Sequence, residues 1–266
     1  MADDPTRSAP DLVGLDDAAL AAALVGQAAA RAARMRAEGV SARTKENLAD
    51  LVTEADVAAE RLVVDALTRL RPEDGVVGEE GTTRPSRSGR TWVIDPVDGT
   101  YNFATGTLYW CSALALRDAD GVLVGAVEHP GAGESWLAVR GAGTFEGGVP
   151  VPPLEDAPLS AVCLATYLHP ARIADPSIRE PWLAATRGAA TMRMLGSGSC
   201  ELAAVAAGRI GAWAQPDVLE WDWLPGKALV EGAGGSTDVV DVAGHPWHLA
   251  GTPSAVADLR RALEAG

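Results

Sequence analysis

Residues 91–103 read TWVIDPVDGTYNF, so two carboxylates, Asp95 and Asp98, follow an apolar run and directly precede Gly99-Thr100. An unpaired carboxylate is costly to bury, and two close together repel each other. Such a pair at the end of an interior strand therefore asks for a cation. Magnesium suits it, taking oxygen ligands while keeping several waters. Two ions roughly 3.5–4 Å apart can share one carboxylate and polarise a phosphoryl oxygen. On this reading Asp95 bridges the ions and Asp98, one turn on, reaches the second. The Gly99 and Thr100 amides, if they open a helix, receive a phosphate, and the Thr100 hydroxyl orients a water.

Other readings of DPVDGT compete. Asp-Pro followed by Gly is ordinary turn chemistry. A calcium loop needs acids two apart and a distal glutamate, and the chain has neither. A phosphatase with a nucleophilic aspartate places D-x-D-G-T after a strand. Here one extra residue separates the acids and is expected to turn their carboxylates in different directions. That reading is weakened but stays open, to be decided by whether a phosphoryl-enzyme can be trapped. A non-catalytic metal-binding protein is a further alternative.

More ligands have to come from elsewhere in the chain. Glu79 and Glu80 close the run VVGEEG, and Asp222 stands in EWDWLPGKALVEGAGG. Taken singly, the first is a solvated acidic turn and the second a helix N-cap. Three acidic clusters, each at a strand end or a helix start, make a site the stronger explanation.

The elements that must hold these acids are legible in outline. An Ala/Leu/Arg helix is predicted from Asp16 or Asp17 to Glu38, ended by Gly39. Thr53 and Asp56 make a capping-box start for a second helix, Glu54 to about Arg71. Strands are expected in the run 76–81, which delivers Glu79 and Glu80 into a loop, and at 91–95, 108–116, 121–129 and 134–145, the third and fourth as a hairpin. Beyond the Pro-rich segment 147–158 the texture turns to alternating strand and helix, with helices near 179–187, 199–208 and 253–264 and one beginning at Trp221-Asp222. This suggests an N-terminal α+β half, 1–150, carrying the metal site and a C-terminal α/β half, 151–266, within one catalytic unit.

Composition limits the options. Of 266 residues 47% are hydrophobic and 22% charged, as in a globular protein, and the net charge of −14 argues against a nucleic-acid partner. A small phosphorylated substrate remains compatible if metal ions reverse the field locally. No uninterrupted apolar run suits a membrane span. The Ala-rich segment 18–37 starts acidic and contains Arg31, Arg34 and Arg36, so it reads as a surface helix and not a signal peptide. A cytoplasmic protein is expected. Cys111, Cys163 and Cys200 form no pair or zinc pattern and are expected to be buried, reduced thiols. His129, His169, His245 and His248 are not expected to be ligands, and Lys45 and Lys227 are the only lysines.

Together VVGEEG, WVIDPVDGTYNF and WDWLPGKALVEGAGG, in this order and spacing, resemble the inositol monophosphatase-like family of magnesium-dependent, lithium-sensitive phosphatases. LADLVTEAD (48–56) and GSGSCELAAVAAGRIGAWAQPDVLEWD (196–222) extend the resemblance over nearly the whole chain from about residue 15. It implies a layered αβαβα sandwich of the α/β (α+β) type, two to three Mg2+ ions and a homodimer. By that resemblance Glu79, Asp95, the Val97 carbonyl, Asp98 and Asp222 hold the metals, and Thr100 with Glu79 activates the water. Asp56 supports the water region or serves only as a cap. Gly99 and Thr100 hold the phosphate, and Gly196, Ser197 and Gly198 touch the alcohol portion of the substrate; Lys45 is expected to be a solvated loop charge, the alternative being a family-like loop that closes over the metals. Inositol 1-phosphate is the leading substrate, with histidinol phosphate or another small-metabolite ester as the alternative.

The chain departs from the family pattern in places. Gln215 stands where many relatives carry a glutamate that binds substrate hydroxyls, and Asp217 lies two residues on. Trp223-Leu224-Pro225 replaces small residues after Trp221-Asp222, and Pro225 is expected in the first turn of its helix.

Overall fold

A computed structural model describes residues 12–39, 42–44 and 51–265, with side chains omitted for 42–44, 51 and 52. Lys45 lies outside the described residues. The chain opens with α1 (Asp17–Glu38), whose first turn is capped by Asp16 accepting the Ala19 N–H at 2.8 Å, and which ends at Gly39 with φ 90°. Strands β1 (Ala42–Thr44) and β2 (Leu51–Thr53) pair antiparallel and lead into α2 (Glu54–Leu70). The capping box forms as expected: Asp56 accepts from the Thr53 amide at 3.0 Å, and the Thr53 hydroxyl accepts from the Asp56 amide.

Next come β3 (Gly75–Gly78), β4 (Thr83–Arg84), β5 (Thr91–Asp98) and the short helix α3 (Thr100–Thr105). They are followed by β6 (Cys111–Asp118), β7 (Gly121–His129), β8 (Glu134–Val139), β9 (Gly143–Glu146) and β10 (Val149–Pro150). One eight-stranded sheet takes all but α3, in the order β10-β9-β8-β7-β6-β5-β3-β4. Within this sheet only β3 and β5 run parallel, which sets Glu79, just past β3, beside Asp95 in the second half of β5.

Two expectations change here. The segment 134–145 is two strands and not one, because Gly141 (φ 80°) and Gly143 (φ 94°) turn the chain back into a hairpin. Strand β5 does not stop at Asp95 but continues to Asp98, which pairs again with β6 after an interruption at Pro96 and Val97.

The second half contains β11 (Cys163–Thr166), α4 (Pro176–Arg187), β12 (Thr191–Arg193), α5 (Gly198–Ala206) and β13 (Ala212–Pro216). It ends with α6 (Glu220–Gly232), β14 (Ser236–Val242), β15 (His245–Gly251) and α7 (Pro253–Glu264). Its five-stranded sheet has the order β12-β11-β13-β15-β14, parallel among the first three and antiparallel thereafter, so it is a mixed sheet.

The hydrophobic clusters define the layers. Leu20, Leu24, Val63 and Leu67 of α1 and α2 pack on Trp92, Ile94, Leu114 and Leu116 of the large sheet. On its other face, Leu202 of α5 and Leu229 of α6 lie between Ala113, Val127 and Trp136 on one side and Trp213 and Ala250 of the second sheet on the other. Ile178, Leu259 and Leu263 of α4 and α7 cover the far face. The order is helix, sheet, helix, sheet, helix: the layered αβαβα sandwich. The Ala-rich α1 is a packed helix, with Leu20, Ala21, Leu24, Ala28 and Ala32 all buried. Among the described residues no helix is long and apolar enough to cross a membrane.

Candidate active site

Asp95 and Asp98 lie on the face of β5 that looks toward α5 and α6. In a regular strand, residues three apart point to opposite faces. Here Asp95 pairs with Ala113 and Asp98 with Cys111, so three steps on β5 match two on β6 and a bulge lies between them. The bulge turns both side chains to one face, overturning the expectation that the extra residue would send the carboxylates apart. Asp222 arrives from α6, and one carboxylate oxygen each from Asp95, Asp98 and Asp222 lie within 4.8 Å of one another. Asp222 is the third residue of α6. Leu219 holds the N-cap position, so capping does not account for Asp222.

The carboxylates of this cluster repel one another. Asp95 is buried, and its carboxyl is pushed well above the ordinary range by burial first, then by the charges of Glu79, Asp98 and Asp222. Glu79, just past β3, hydrogen-bonds Asp95. Asp95 Oδ1 is buried without a hydrogen-bond partner. Such an orphaned carboxyl oxygen facing further carboxylates fits a hard divalent cation, whose charge would relieve both penalties. Asp98 is also raised by burial, opposed by the amides of Ser199 at 2.5 Å and Gly198 at 3.2 Å.

Gly99 turns the chain from β5 into α3 with φ 92°. A Cβ there would meet Gly196 O at 3.0 Å, Tyr109 O at 3.1 Å and Ser197 Cβ at 3.2 Å, so the position requires glycine. The Thr100 hydroxyl lies 3.1 Å from Asp56 Oδ1 and 3.0 Å from Val97 O. Asp56 thus caps α2 and also holds Thr100. Burial raises its carboxyl, while hydrogen bonds from Thr53 and Thr100 oppose the shift.

The Gly196-Ser197-Gly198 loop lies against Asp98 and Gly99. Two residues that sequence reasoning missed hold it there. Asn102 donates to Leu195 O at 2.7 Å and Gly196 O at 3.3 Å. Glu201, fully buried, accepts from the Leu195 amide at 2.9 Å, the Gly196 amide at 3.3 Å and Trp213 Nε1 at 2.9 Å. A lone acid inside the apolar run CELAAVAA was the available signal. Trp213 stacks on Trp223, the residue after Asp222, with ring centres 5.6 Å apart.

Gln215 is half-buried near the end of β13, opposite His248 in register. Asp217 does not supply a free carboxylate in its place, since its side chain pairs with Arg172 and with His245 Nδ1 at 2.8 Å. Pro225 sits inside α6 and not in its first turn, because the helix begins at Glu220; it withholds the N–H that would pair with the Trp221 carbonyl. Cys111 and Cys200 are buried free thiols and Cys163 is half-buried. The Cys111 thiol lies 3.8 Å from Asp98 Oδ2. Among the described residues, no histidine joins the acid cluster.

Comparison with known proteins agrees with this geometry. Residues 12–265 match the model of the inositol monophosphatase family. A histidinol-phosphatase of Mycobacterium tuberculosis is 37% identical over 243 residues, covering 86% of this chain and 90% of the relative. An inositol-1-monophosphatase of Bacillus subtilis is 30% identical over 242 residues, covering 86% and 89%. Among solved structures, an IMPase of Thermotoga maritima superposes with a TM-score of 0.80 at 24% identity, covering 94% of this chain and 99% of that one. The inositol monophosphatase of Anabaena gives 0.76 at 26% identity, covering 91% and 94%. The layered sandwich with its converging acids is therefore the frame of a phosphoric monoester hydrolase. The chain belongs to the inositol monophosphatase family.

Proposed function

We propose that the protein is a magnesium-dependent, lithium-sensitive phosphatase that hydrolyses inositol 1-phosphate. The observation that carries this reading is the unpartnered Oδ1 of Asp95, buried among the carboxylates of Glu79, Asp98 and Asp222. Glu79, Asp95, Val97 O, Asp98 and Asp222 would hold two to three Mg2+ ions. The Val97 carbonyl, though it accepts from Thr100, keeps a second lone pair for a metal. When bound, the ions supply charge neutralisation for the transferring phosphoryl group and lower the pKa of water.

The chain's own residues do the rest. An ionised Asp56 can only accept, so Thr100 donates its proton toward Asp56 or Val97 O and keeps its lone pairs for a water. That water is oriented by Thr100, gives its proton toward Glu79 and attacks phosphorus in line with the ester oxygen; the ester P–O bond breaks, and the alcohol leaves with its oxygen taking a proton from solvent. The Gly99 and Thr100 amides at the start of α3 receive phosphate oxygens. Gly196, Ser197, Gly198 and Gln215 contact the alcohol portion. Gln215 can still hydrogen-bond a substrate hydroxyl but brings no charge, and Asp217 is already paired with Arg172, so the missing glutamate weakens the inositol assignment relative to the second reading.

Histidinol phosphate is the second reading, favoured by the 37% identical histidinol-phosphatase. The protein is further proposed to be a cytoplasmic homodimer. Phosphate release with Mg2+ from the two esters, with lithium and an Asp95→Asn control, tests the assignment. Faster release from inositol 1-phosphate supports the first reading and faster release from histidinol phosphate the second. No release from either, with Mg2+ bound, would overturn both.

A further inference from the structure

Glu60 lies one helical turn after Asp56 on α2, only 3% exposed, and its carboxylate reaches the loop that carries Glu79. One oxygen accepts from the Glu80 amide at 2.8 Å. The other accepts from the Thr82 amide at 3.3 Å and the Thr82 hydroxyl at 2.6 Å. Gly78 makes room for it, since a Cβ there would sit 2.3 Å from Glu60 Oε2. From the opposite side, the Glu79 amide donates to Ile94 O at 3.1 Å, the residue before Asp95. The backbone at Glu79 is thus held between β5 and the Glu60 carboxylate. Together Asp56 and Glu60 present two buried acids, four residues apart on one helix face, each bracing a different arm of the site.

We infer that Glu60 is a positioning residue, which sets the place of Glu79 relative to Asp95 and so the affinity of the site for Mg2+. This rests on the phosphatase reading above. The loop offers three donors and no acceptor to this group, so an ionised carboxylate matches it fully. An amide in its place would turn an NH2 group toward an N–H donor and leave donors unsatisfied. Glu60 touches neither water nor substrate in this role and acts only through residues 79–82.

The test is Mg2+ affinity by isothermal titration calorimetry, alongside Mg2+-dependent phosphate release, for the wild type, Glu60→Gln and Thr82→Val. Groups that orient metal ligands typically change metal affinity by about 10–100-fold when altered. The expected result is a loss of about tenfold or more in Mg2+ affinity for Glu60→Gln at unchanged circular dichroism, with a lower kcat at saturating Mg2+. Thr82→Val should show a smaller loss of the same sign. If Glu60→Gln does not fold, Thr82→Val decides, because it leaves the carboxylate in place and removes a single donor. Wild-type Mg2+ affinity in the folded variants, or in Thr82→Val alone if only that folds, would overturn the role of Glu60 and leave the phosphatase reading standing. A wild type that neither binds Mg2+ nor releases phosphate would overturn the phosphatase reading itself, and this inference with it.

Discussion

Asp95 and Asp98 face the same side of β5 because a bulge lies between them, pairing them with Ala113 and Cys111 two residues apart on the neighbouring strand. The bulge is what allows D-x-x-D to serve one site. It also stores repulsion, since burial and the neighbouring carboxylates hold Asp95 well above its ordinary pKa.

That repulsion predicts opposite effects of Asp95→Asn with and without metal. If Asp95 holds metal as proposed, activity should fall on the order of 10³-fold or more, because several kcal/mol of charge stabilisation would be lost with it. In EDTA, at a pH above that raised pKa, where Asp95 is ionised, the same variant should melt at a higher temperature than the wild type, since one buried charge is removed. Thermal unfolding with and without Mg2+ checks both: the wild type should gain stability with Mg2+, about 2.7 kcal/mol at a hundredfold excess over Kd, and the variant far less.

Mg2+ binding should also depend on pH. Asp95 and Asp98 both have raised pKa values, so their protonated forms persist above the usual carboxylate range and compete with the ion. Affinity should therefore weaken as pH falls through that raised range, with protons released on binding. Calorimetry in buffers of different ionisation enthalpy would measure the release. Binding with no proton release and no pH dependence would contradict the raised values.

Glu201 gives a separate signature in stability. Burial pushes its carboxyl up to about 8, although the Leu195 and Gly196 amides and Trp213 oppose the shift. A folded pKa above the unfolded one means that the native state binds more protons between the two values. Stability contributed below about pH 4.5 is then lost as pH rises toward 8. The melting temperature of the wild type should fall across that interval more steeply than that of Glu201→Gln, at fixed Mg2+.

Gly99→Ala should disturb both folding and catalysis. A left-handed conformation costs a non-glycine residue about 1–2 kcal/mol before any clash, and the new Cβ would press on Gly196 and Tyr109. The expected outcome is a lower melting temperature and reduced kcat together, whereas Gly89→Ala, at φ 84° in open space, should show the stability loss alone.

Thr100→Val keeps the shape of the side chain and removes the hydroxyl that sits between Asp56 and Val97 O. If that hydroxyl orients the attacking water, kcat should fall by about 10²-fold or more with little change in KM for the ester. Steady-state kinetics at saturating Mg2+ provide the check.

Much of this was readable along the chain. The first two helices follow from Asp16, Gly39 and the Thr53–Asp56 capping box, because caps and helix periodicity are local. Asp95, Asp98 and Asp222 were candidates on the same grounds, as acids placed where strands end or helices begin. What could not be read was set by partners far away in sequence. The bulge after Asp95 depends on the register of β6, and the pairing of Asp217 depends on Arg172 and His245. The start of α6 at Glu220, which puts Pro225 inside the helix, is likewise not marked by a capping residue. Glu60 looks like an ordinary helix acid until packing buries it against the backbone amides of Glu80 and Thr82, 20 and 22 residues further along the chain. By itself, then, the sequence determined which carboxylates were available and in what order. Only the tertiary structure decided which of them meet, because burial removes the water that would otherwise satisfy each one and leaves its distant neighbours to do so.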